Sequence, residues 1–344
     1  MRPLHNRRLE QDYILSFGVS LPTFCGGGFG DSYISLQELR DFVTFAEQLG
    51  FSHFWHVDRL MGVAPPAYNT SWYEPMTTLA AITPFLKNAR IGTAVINITY
   101  RNPVVFAKQV ASLDRLSGGR LIVGVGQGWN KAELAASNVS DKDRVRRFEE
   151  ATLLLRRLLT EKRVNHSGEF WRLEDFYLEP RPIQQPCPPI LIAGGGNGIH
   201  FEKAVPRDIV DERVFRRVAR LGDGWIARTD TNPSDIRKYV KMLDSLLPEY
   251  GKSLKNFMIA HQNFVFVIGR SGSEFDARER LRKLSKRTYD EVVQRYIIGK
   301  PDEVSRRIRM EAEAGVRHFI VMPIGIDYEV LQFFADEIMP AYTR

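Results

Sequence analysis

The feature that most constrains the fold of this chain is a regular alternation of short apolar runs with amphipathic helical runs. The apolar runs span residues 13–21, 52–57, 90–96, 121–126, 189–193, 223–227, 257–267 and 317–322. Helical patterns follow them at 36–49, 76–85, 103–116, 144–160, a stretch ending near 221, 233–247, 301–314 and 328–339. Apolar strands separated by helices are typical of parallel strands covered on both sides. Eight such units predict an α/β fold that closes into a single (β/α)8 barrel, the TIM-barrel architecture.

Two segments interrupt this repeat. Residues 163–180 place apolar and aromatic side chains around Ser167-Gly168, which predicts a small hairpin inserted after the fourth helix. Residues 269–298 are polar and rich in arginine, which predicts a helical insertion after the seventh strand. Neither segment has the composition of a linker, so we expect one domain over residues 1–344.

Charge and cysteine content exclude several classes of protein. The 344 residues include 48 Lys and Arg against 41 Asp and Glu, a net charge of +7, with the basic residues scattered over helices. A nucleic-acid partner is therefore not expected, because such binders gather basic and aromatic residues on one face. The two cysteines lie in no metal-binding motif, so we expect neither a disulfide framework nor a metal site.

Membrane insertion and export are also disfavoured by the sequence. No run approaches the roughly 20 apolar residues that a membrane span requires. Residues 1–13 are basic and polar, without the apolar core of a signal peptide. The sequence therefore predicts a cytoplasmic protein that has no membrane partner.

Two glycine-rich turns follow neighbouring predicted strands. Residues 124–130 read Gly-Val-Gly-Gln-Gly-Trp-Asn after the fourth strand, and residues 194–198 read Gly-Gly-Gly-Asn-Gly after the fifth. In a barrel the active site lies at the carboxyl ends of the strands. Glycine lets a phosphate or a flat ring approach main-chain amides, so the turns indicate a planar, phosphorylated ligand; tight strand-to-helix turns are the alternative explanation. The spacing of the first turn differs from the dinucleotide-binding fingerprint, which disfavours a Rossmann fold.

Several sequence segments resemble, in the same order along the chain, those of the bacterial luciferase-like superfamily of flavin- and deazaflavin-dependent oxidoreductases. The main segment is Leu-Asp-Arg-Leu-Ser-Gly-Gly-Arg at 113–120, which leads into Val-Gly-Val-Gly-Gln-Gly-Trp-Asn at 123–130. Residues 188–195, 221–225, 298–304 and 314–318 match further blocks in the same order. The resemblance extends from the second predicted strand to the eighth and agrees with the barrel predicted from the alternation.

The resemblance implies a cofactor, coenzyme F420 or FMN, at the mouth of the barrel. It places the ring across the strand ends and the phosphate near the fourth and fifth loops. It also implies a non-prolyl cis peptide behind the ring, for which the matching pair is Ala94-Val95. Asn97 either hydrogen-bonds the polar edge of the ring or caps the strand. The cofactor-binding residues expected on this basis are Ala94, Val95, Asn97, Gly126, Gln127, Gly128, Asn130, Gly194, Gly195 and Gly196.

The candidate catalytic residues follow the second strand. The sugar-phosphate dehydrogenases of this superfamily carry Asp followed by His there, whereas this chain has Asp58 followed by Arg59. They also carry Glu directly after the Gly-x-Gly turn, where this chain has Trp129. Arginine stays protonated and binds or polarises an anion rather than shuttling a proton, so a sugar-phosphate dehydrogenase is disfavoured.

Asp58 and His56 are the other two catalytic candidates. Asp58 is expected to orient the cofactor or a proton donor, with a capping role for the next segment as the alternative. His56 precedes Asp58 by two residues and shares its strand face, so it is either an acid or base in the barrel interior or a satisfied core histidine.

The sequence is compatible with three combinations of cofactor and function. The Gly-Trp-Asn run at 128–130 resembles the F420-using branches of the superfamily, and the positive net charge suits a cofactor with an anionic tail. We therefore expect F420 and hydride transfer to or from a small-molecule substrate. The alternatives are an FMN-dependent monooxygenase that uses reduced FMN with oxygen, and a non-catalytic flavin-binding protein of the same fold. The resemblance further implies a homodimer.

Overall fold

The computed structural model describes residues 14–26, 32–60, 70–195, 199–200, 203–204, 212–284 and 288–342. Within these residues, eight parallel strands form a closed ring. They are β1 Ser16–Ser20, β2 His53–His56, β3 Arg90–Thr93, β4 Leu121–Gly126, β5 Ile190–Ala193, β6 Gly224–Ala227, β7 Met258–Val267 and β8 His318–Pro323. Each strand pairs with the next in sequence, and β8 pairs with β1. The predicted (β/α)8 barrel is confirmed.

Helices cover the outside of this ring. They are α1 Leu36–Gln48, α2 Pro75–Ile82, α3 Pro103–Leu116, α4 Lys131–Ala136, α5 Arg144–Thr160, α6 Glu212–Leu221, α7 Pro233–Leu246, α8 Glu274–Leu284, α9 Tyr289–Arg295, α10 Pro301–Ala314 and α11 Tyr328–Phe333. Local sequence sets several of the starts, since proline opens α2, α3, α7 and α10. The last predicted helix is shorter than expected, because a π turn at Phe334–Ile338 and a 3-10 turn at Met339–Ala341 replace its second half.

The third predicted strand is divided in two. β3 ends at Thr93, the Ala94-Val95 peptide bond is cis, and a short strand Ile96–Asn97 pairs with the end of β4. The cis peptide expected from the resemblance is therefore confirmed. The residues after this bond continue along β4.

The insertions lie where the sequence predicts them. Strands Val164–Ser167 and Arg172–Phe176 form an antiparallel hairpin after α5. The carboxylate of Glu150 in α5 fixes its turn by accepting hydrogen bonds from the main-chain amides of residues 169–171. Helices α8 and α9 occupy the second insertion, and a short strand Ile297–Gly299 after them pairs with β7. None of the helices that the structure describes combines the length and the apolarity needed to cross a bilayer.

Alternate side chains of the barrel strands enter two different cores. Phe54 on β2 and Val123 on β4 pack outward against the helices. The interior is filled by a second cluster, which comprises Trp55, Ile122, Leu191, Ile226, Ala260 and Ile320. Because this cluster closes the middle of the barrel, the space above it at the carboxyl ends of the strands is the place for a ligand.

The other end of the barrel holds two neighbouring histidines, His53 and His318, on either side of Ser16. The hydroxyl Oγ of Ser16 lies 3.2 Å from Nε2 of His53 and 2.7 Å from Nδ1 of His318, while Trp55 Nε1 donates to His53 Nδ1 at 2.5 Å. Burial, with Arg90 and Arg317 nearby, lowers the pKa of His318 to about 4, and burial lowers the pKa of His53 well below its usual value. Both imidazoles are therefore neutral in the folded protein at pH 7.

Glycine at position 124 is expected to be essential for stability. A Cβ added there would lie 2.0 Å from the main-chain oxygen of Thr93, whereas Gly118, at φ 69°, has nothing within 4 Å of such a Cβ. Gly124→Ala should lower the free energy of unfolding by about 3 kcal/mol through overpacking. Gly118→Ala, the control, carries only backbone strain of about 1 kcal/mol. Urea denaturation measures both, and equal losses would contradict this account.

The neutral histidines make folding sensitive to mild acid. In the unfolded chain, His53 and His318 take up protons near their usual pKa of about 6.5. In the folded protein their pKa values are lower, so they stay unprotonated at that pH. The free energy of unfolding should therefore fall as pH drops from about 6.5 to 5, by up to about 1.4 kcal/mol per pH unit for each histidine. His318→Asn should reduce this slope by about one proton. Urea denaturation across this range measures the slope, and an unchanged slope in the variant would contradict the assignment.

Candidate active site

The turns after β4 and β5 start side by side. The pairing of Gly124 with Leu191 and of Val125 with Ile192 places Gly126 next to Ala193, the last residue of β5. Gln127 and Gly194 therefore begin neighbouring loops at the same end of the barrel. The structure thus brings the two glycine-rich turns together, as the sequence interpretation required.

Packing explains several of these glycines without a ligand. A Cβ at Gly126 would lie 2.8 Å from Val95 Cγ2, and one at Gly128 would lie 2.4 Å from the hydroxyl oxygen of Tyr100. Gly194 and Gly195 pack in the same way against Val214 and Phe215, each belonging to α6. These close approaches support the alternative explanation by tight turns, so phosphate binding by these residues stays a prediction. Gly196 lies outside the described residues.

Asp58 is a buried junction between β2 and the chain after β3. Its Oδ2 accepts a hydrogen bond of 2.9 Å from the Asn97 amide, and its Oδ1 lies 3.0 Å from Nη2 of Arg101. Asn97 Nδ2 also donates to the main-chain oxygen of Asp58 at 3.3 Å. Burial raises the pKa of Asp58, while Arg101 and the Asn97 amide oppose that shift. Both carboxylate oxygens are thus engaged within the protein, which favours an orienting role over proton transfer.

Arg59 lies against two indole rings. Its guanidinium carbon Cζ is 4.4 Å from the centroid of the Trp129 ring and 5.9 Å from that of Trp72. Nη1 lies 3.9 Å from Oε1 of Glu133, and the arginine side chain is 12% exposed. Cation–π contacts gain strength when water is excluded, so these neighbours fix the plane and position of the charge.

Glu133 is a site residue that the sequence interpretation missed. It lies in the first turn of α4, is 1% exposed, and accepts hydrogen bonds from the Leu60 amide at 3.3 Å and the Tyr100 hydroxyl at 3.3 Å. Burial and the nearby carboxylate raise the pKa of Tyr100, which keeps its hydroxyl protonated. The signal available in the sequence was Asn130, whose side chain caps α4 and so starts a helix at the rim of the barrel.

His56 does not reach the barrel interior. It shares its strand face with Phe54, which packs outward, while Trp55 between them points inward. Thr23 Oγ1 lies 2.9 Å from its Nε2, and the main-chain oxygen of Val57 lies 2.6 Å from its Nδ1. Burial lowers its pKa to about 4. The expected position of His56 in the barrel interior is therefore corrected, because the alternation along β2 puts it on the outer face, as the core alternative describes. Its role as an acid or base stays a prediction.

Buried polar atoms without a protein partner surround the mouth of the barrel. They include Ser20 Oγ at the end of β1, Gln262 Oε1 on β7 and Gln127 Oε1 after β4. Ser20 and Gln262 occupy inward-facing positions of their strands, since Gln262 follows the interior residue Ala260 by two. Partnerless buried groups are rare in folded proteins. Their position above the packed interior fits a ligand that carries hydrogen-bonding groups, as a flavin or deazaflavin does.

Comparison with known proteins agrees with this arrangement. The sequence profile described as luciferase-like monooxygenase matches residues 15–203. The chain belongs to this family. An F420-dependent glucose-6-phosphate dehydrogenase from Amycolatopsis mediterranei is 26% identical to this luciferase-like protein over 320 residues, which span 88% of the chain and 94% of the relative. The family resemblance found in the sequence is confirmed.

Solved structures share the fold of this luciferase-like chain. An F420-dependent secondary alcohol dehydrogenase in complex with an F420-acetone adduct has a TM-score of 0.77 at 18% identity, with 96% of this chain and 100% of that chain covered. Monooxygenase RslO1 from Streptomyces bottropensis has a TM-score of 0.75 at 22% identity and the same coverage. At these identities the likeness establishes the barrel architecture.

Within the luciferase-like barrel, Asp58 is expected to act through structure. Asp58→Ala should lower the free energy of unfolding by about 2–3 kcal/mol, because it leaves Arg101 and the Asn97 amide without their buried acceptor. Asp58→Asn keeps an acceptor for Asn97 and should cost about 1 kcal/mol. Thermal and urea denaturation measure both losses. Native stability in Asp58→Ala together with lost turnover would show a chemical role instead.

Proposed function

We propose that this protein is an oxidoreductase that transfers hydride between coenzyme F420 and a small organic substrate. The observation that carries this proposal is the mouth of the barrel, where buried polar atoms of Ser20, Gln127 and Gln262 lack a protein partner. Two glycine-rich turns start side by side at the same end of the barrel. The relatives named as F420-dependent dehydrogenases favour F420 over FMN. When bound, the deazaflavin ring supplies the hydride chemistry, and the protein supplies position and electrostatics.

The proposal gives the described residues distinct tasks. Ala94 and Val95, which follow β3 at the edge of the filled interior, form the wall behind the ring. Gln127 offers an unpaired side-chain oxygen to the cofactor. Gly128, Asn130, Gly194 and Gly195 shape the adjoining turns for the phosphate side. Asn97 already gives its side-chain amide to Asp58, so its part is to hold the strand ends in place.

Two other functions remain as competing outcomes. The family description and the fold of monooxygenase RslO1 are consistent with an FMN-dependent monooxygenase. The second competing function is that of a non-catalytic protein, which binds a flavin in the barrel without turning over a substrate. The two cofactors differ in their tail. F420 carries the longer anionic one, which the net charge of +7 suits. This contribution is small, because salt at the cellular concentration screens exposed charges beyond about 8 Å. The homodimer implied by the family stays a prediction, which analytical ultracentrifugation tests.

Cofactor preference is tested by titration. Purified protein should quench F420 fluorescence with a dissociation constant in the micromolar range, on the order of typical Michaelis constants. FMN should produce no saturable signal at the same concentrations. Saturable FMN binding without a response to F420 would reverse the proposal.

The unpaired polar atoms provide a site-directed test. Ser20→Ala and Gln127→Ala should each weaken F420 binding by about 3- to 10-fold, as expected for one lost hydrogen bond. The unfolding free energy should stay nearly unchanged, because neither atom has a protein partner. Ser245→Ala, on the exposed side of α7, is the matched control and should bind F420 like the parent. Native F420 affinity in both mouth variants would place the cofactor elsewhere.

A further inference from the structure

Arg59 is a positive charge that its neighbours hold in position at the described active-site rim. One indole stacks on its guanidinium at 4.4 Å, a second lies at 5.9 Å, and the Glu133 carboxylate lies at 3.9 Å. Arg59 directly follows Asp58, beyond the end of β2. The main-chain oxygen of His56, in that strand, accepts a hydrogen bond of 2.8 Å from the Ala94 amide. The chain segment that leads to Arg59 therefore leaves β2 beside Ala94.

The proton acceptors that the structure describes around Arg59 are already in use. Asp58 accepts from the Asn97 amide and pairs with Arg101. Glu133 is buried and accepts from the Leu60 amide and the Tyr100 hydroxyl. His56 is engaged at both ring nitrogens and faces outward. Oxidation of an alcohol needs a group that takes the hydroxyl proton, and the engaged carboxylates and imidazole are poorly placed for it.

A fixed cation suits the opposite direction of the reaction. When hydride reaches the carbon of a carbonyl or of a conjugated carbonyl compound, negative charge develops on the oxygen. Donors already in position stabilise such charge at little reorganisation cost. Arginine keeps its proton, so it serves this purpose without titrating in the physiological range.

We infer that Arg59 is a catalytic electrophile and that the substrate is a ketone or an α,β-unsaturated carbonyl compound with an apolar body, reduced by F420H2. This inference rests on the proposed function. The substrate carbon accepts two electrons and a hydrogen from reduced F420, which is oxidised. The π-electron pair moves onto the substrate oxygen, where Arg59 stabilises it, and the resulting alkoxide or enolate takes its proton from water. The indoles of Trp72 and Trp129 form the apolar surroundings that exclude charged substrates.

Glu133 is the positioning residue for this charge. A single buried carboxylate contacts Arg59, the Leu60 amide and the Tyr100 hydroxyl, so it ties the start of the loop after β2 to α4 and to the turn after β3. Its contribution to catalysis should therefore depend on Arg59. This dependence distinguishes it from a residue that only stabilises the fold.

The test uses the full chain loaded with F420H2 or F420, with 2-cyclohexen-1-one and cyclohexanone as acceptors and cyclohexanol as donor. We expect F420H2 oxidation by at least one of the two acceptors to exceed F420 reduction by cyclohexanol at equal concentration. We also expect kcat for the acceptor to be flat between about pH 7 and 9, since no titrating base takes part. Faster alcohol oxidation, or a rise in kcat near pH 7, would overturn the inference.

Variants separate the inference from the proposed function. Arg59→Gln should lower kcat by about 100-fold or more, the usual effect of losing one charge-stabilising donor. Its F420H2 affinity should stay within about 2-fold of the parent, and Arg59→Lys should recover part of the loss. Arg270→Gln, at an exposed ion pair with Glu337, is the matched control. If Arg59→Gln binds F420H2 normally and keeps the kcat of the parent, the inference is wrong and the proposed function still stands. If the parent does not bind F420H2, the proposed function itself is wrong.

The dependence of Glu133 on Arg59 is measured by a double-mutant cycle. Glu133→Gln should lower kcat by about 10-fold in the parent and have little further effect in Arg59→Gln, because both changes disturb one unit. KM for the acceptor should change less than kcat. Additive losses would show that Glu133 only supports the fold, which would overturn its assignment as a positioning residue.

Discussion

The close approach of β3 to β4 is the contact on which the active-site rim depends. A Cβ at Gly124 would meet the Thr93 carbonyl at 2.0 Å, and one at Gly126 would meet Val95 at 2.8 Å. Because β4 lacks side chains at these two points, the chain beyond Thr93 can lie against it and continue as Ile96–Asn97. That path delivers the Asn97 amide to Asp58, and Asp58 in turn pairs with Arg101.

Burial decides how the charged groups of the rim behave. Removing Asp58 and Glu133 from water is costly unless donors compensate, and each of these carboxylates has several. Groups satisfied in this way hold their neighbours in place and are poor proton carriers. The rim is consequently a fixed arrangement of charges, in which Arg101 pairs with Asp58 and Arg59 lies beside indole rings. Such preorganisation suits stabilisation of charge that develops during hydride transfer.

The two departures from the sugar-phosphate dehydrogenase pattern form a single contact. Arg59 follows the second strand and Trp129 follows the fourth, yet the guanidinium stacks on the indole at 4.4 Å. The exclusion of sugar phosphates as substrates stays a prediction, and the barrel architecture is what this chain shares with the solved structures that resemble it.

The sequence by itself determined the strand and helix order, the barrel and the family, and it located α3 and β4 to the residue, because apolar periodicity and proline starts are local signals. The cis bond at Ala94-Val95 was also available, through the matching of motifs. Only the tertiary structure decided which face His56 occupies, what the glycines contact, and that Glu133 joins Arg59 and Tyr100. These are contacts between residues distant in the chain, and a pattern along one segment carries no record of what packs against it from another.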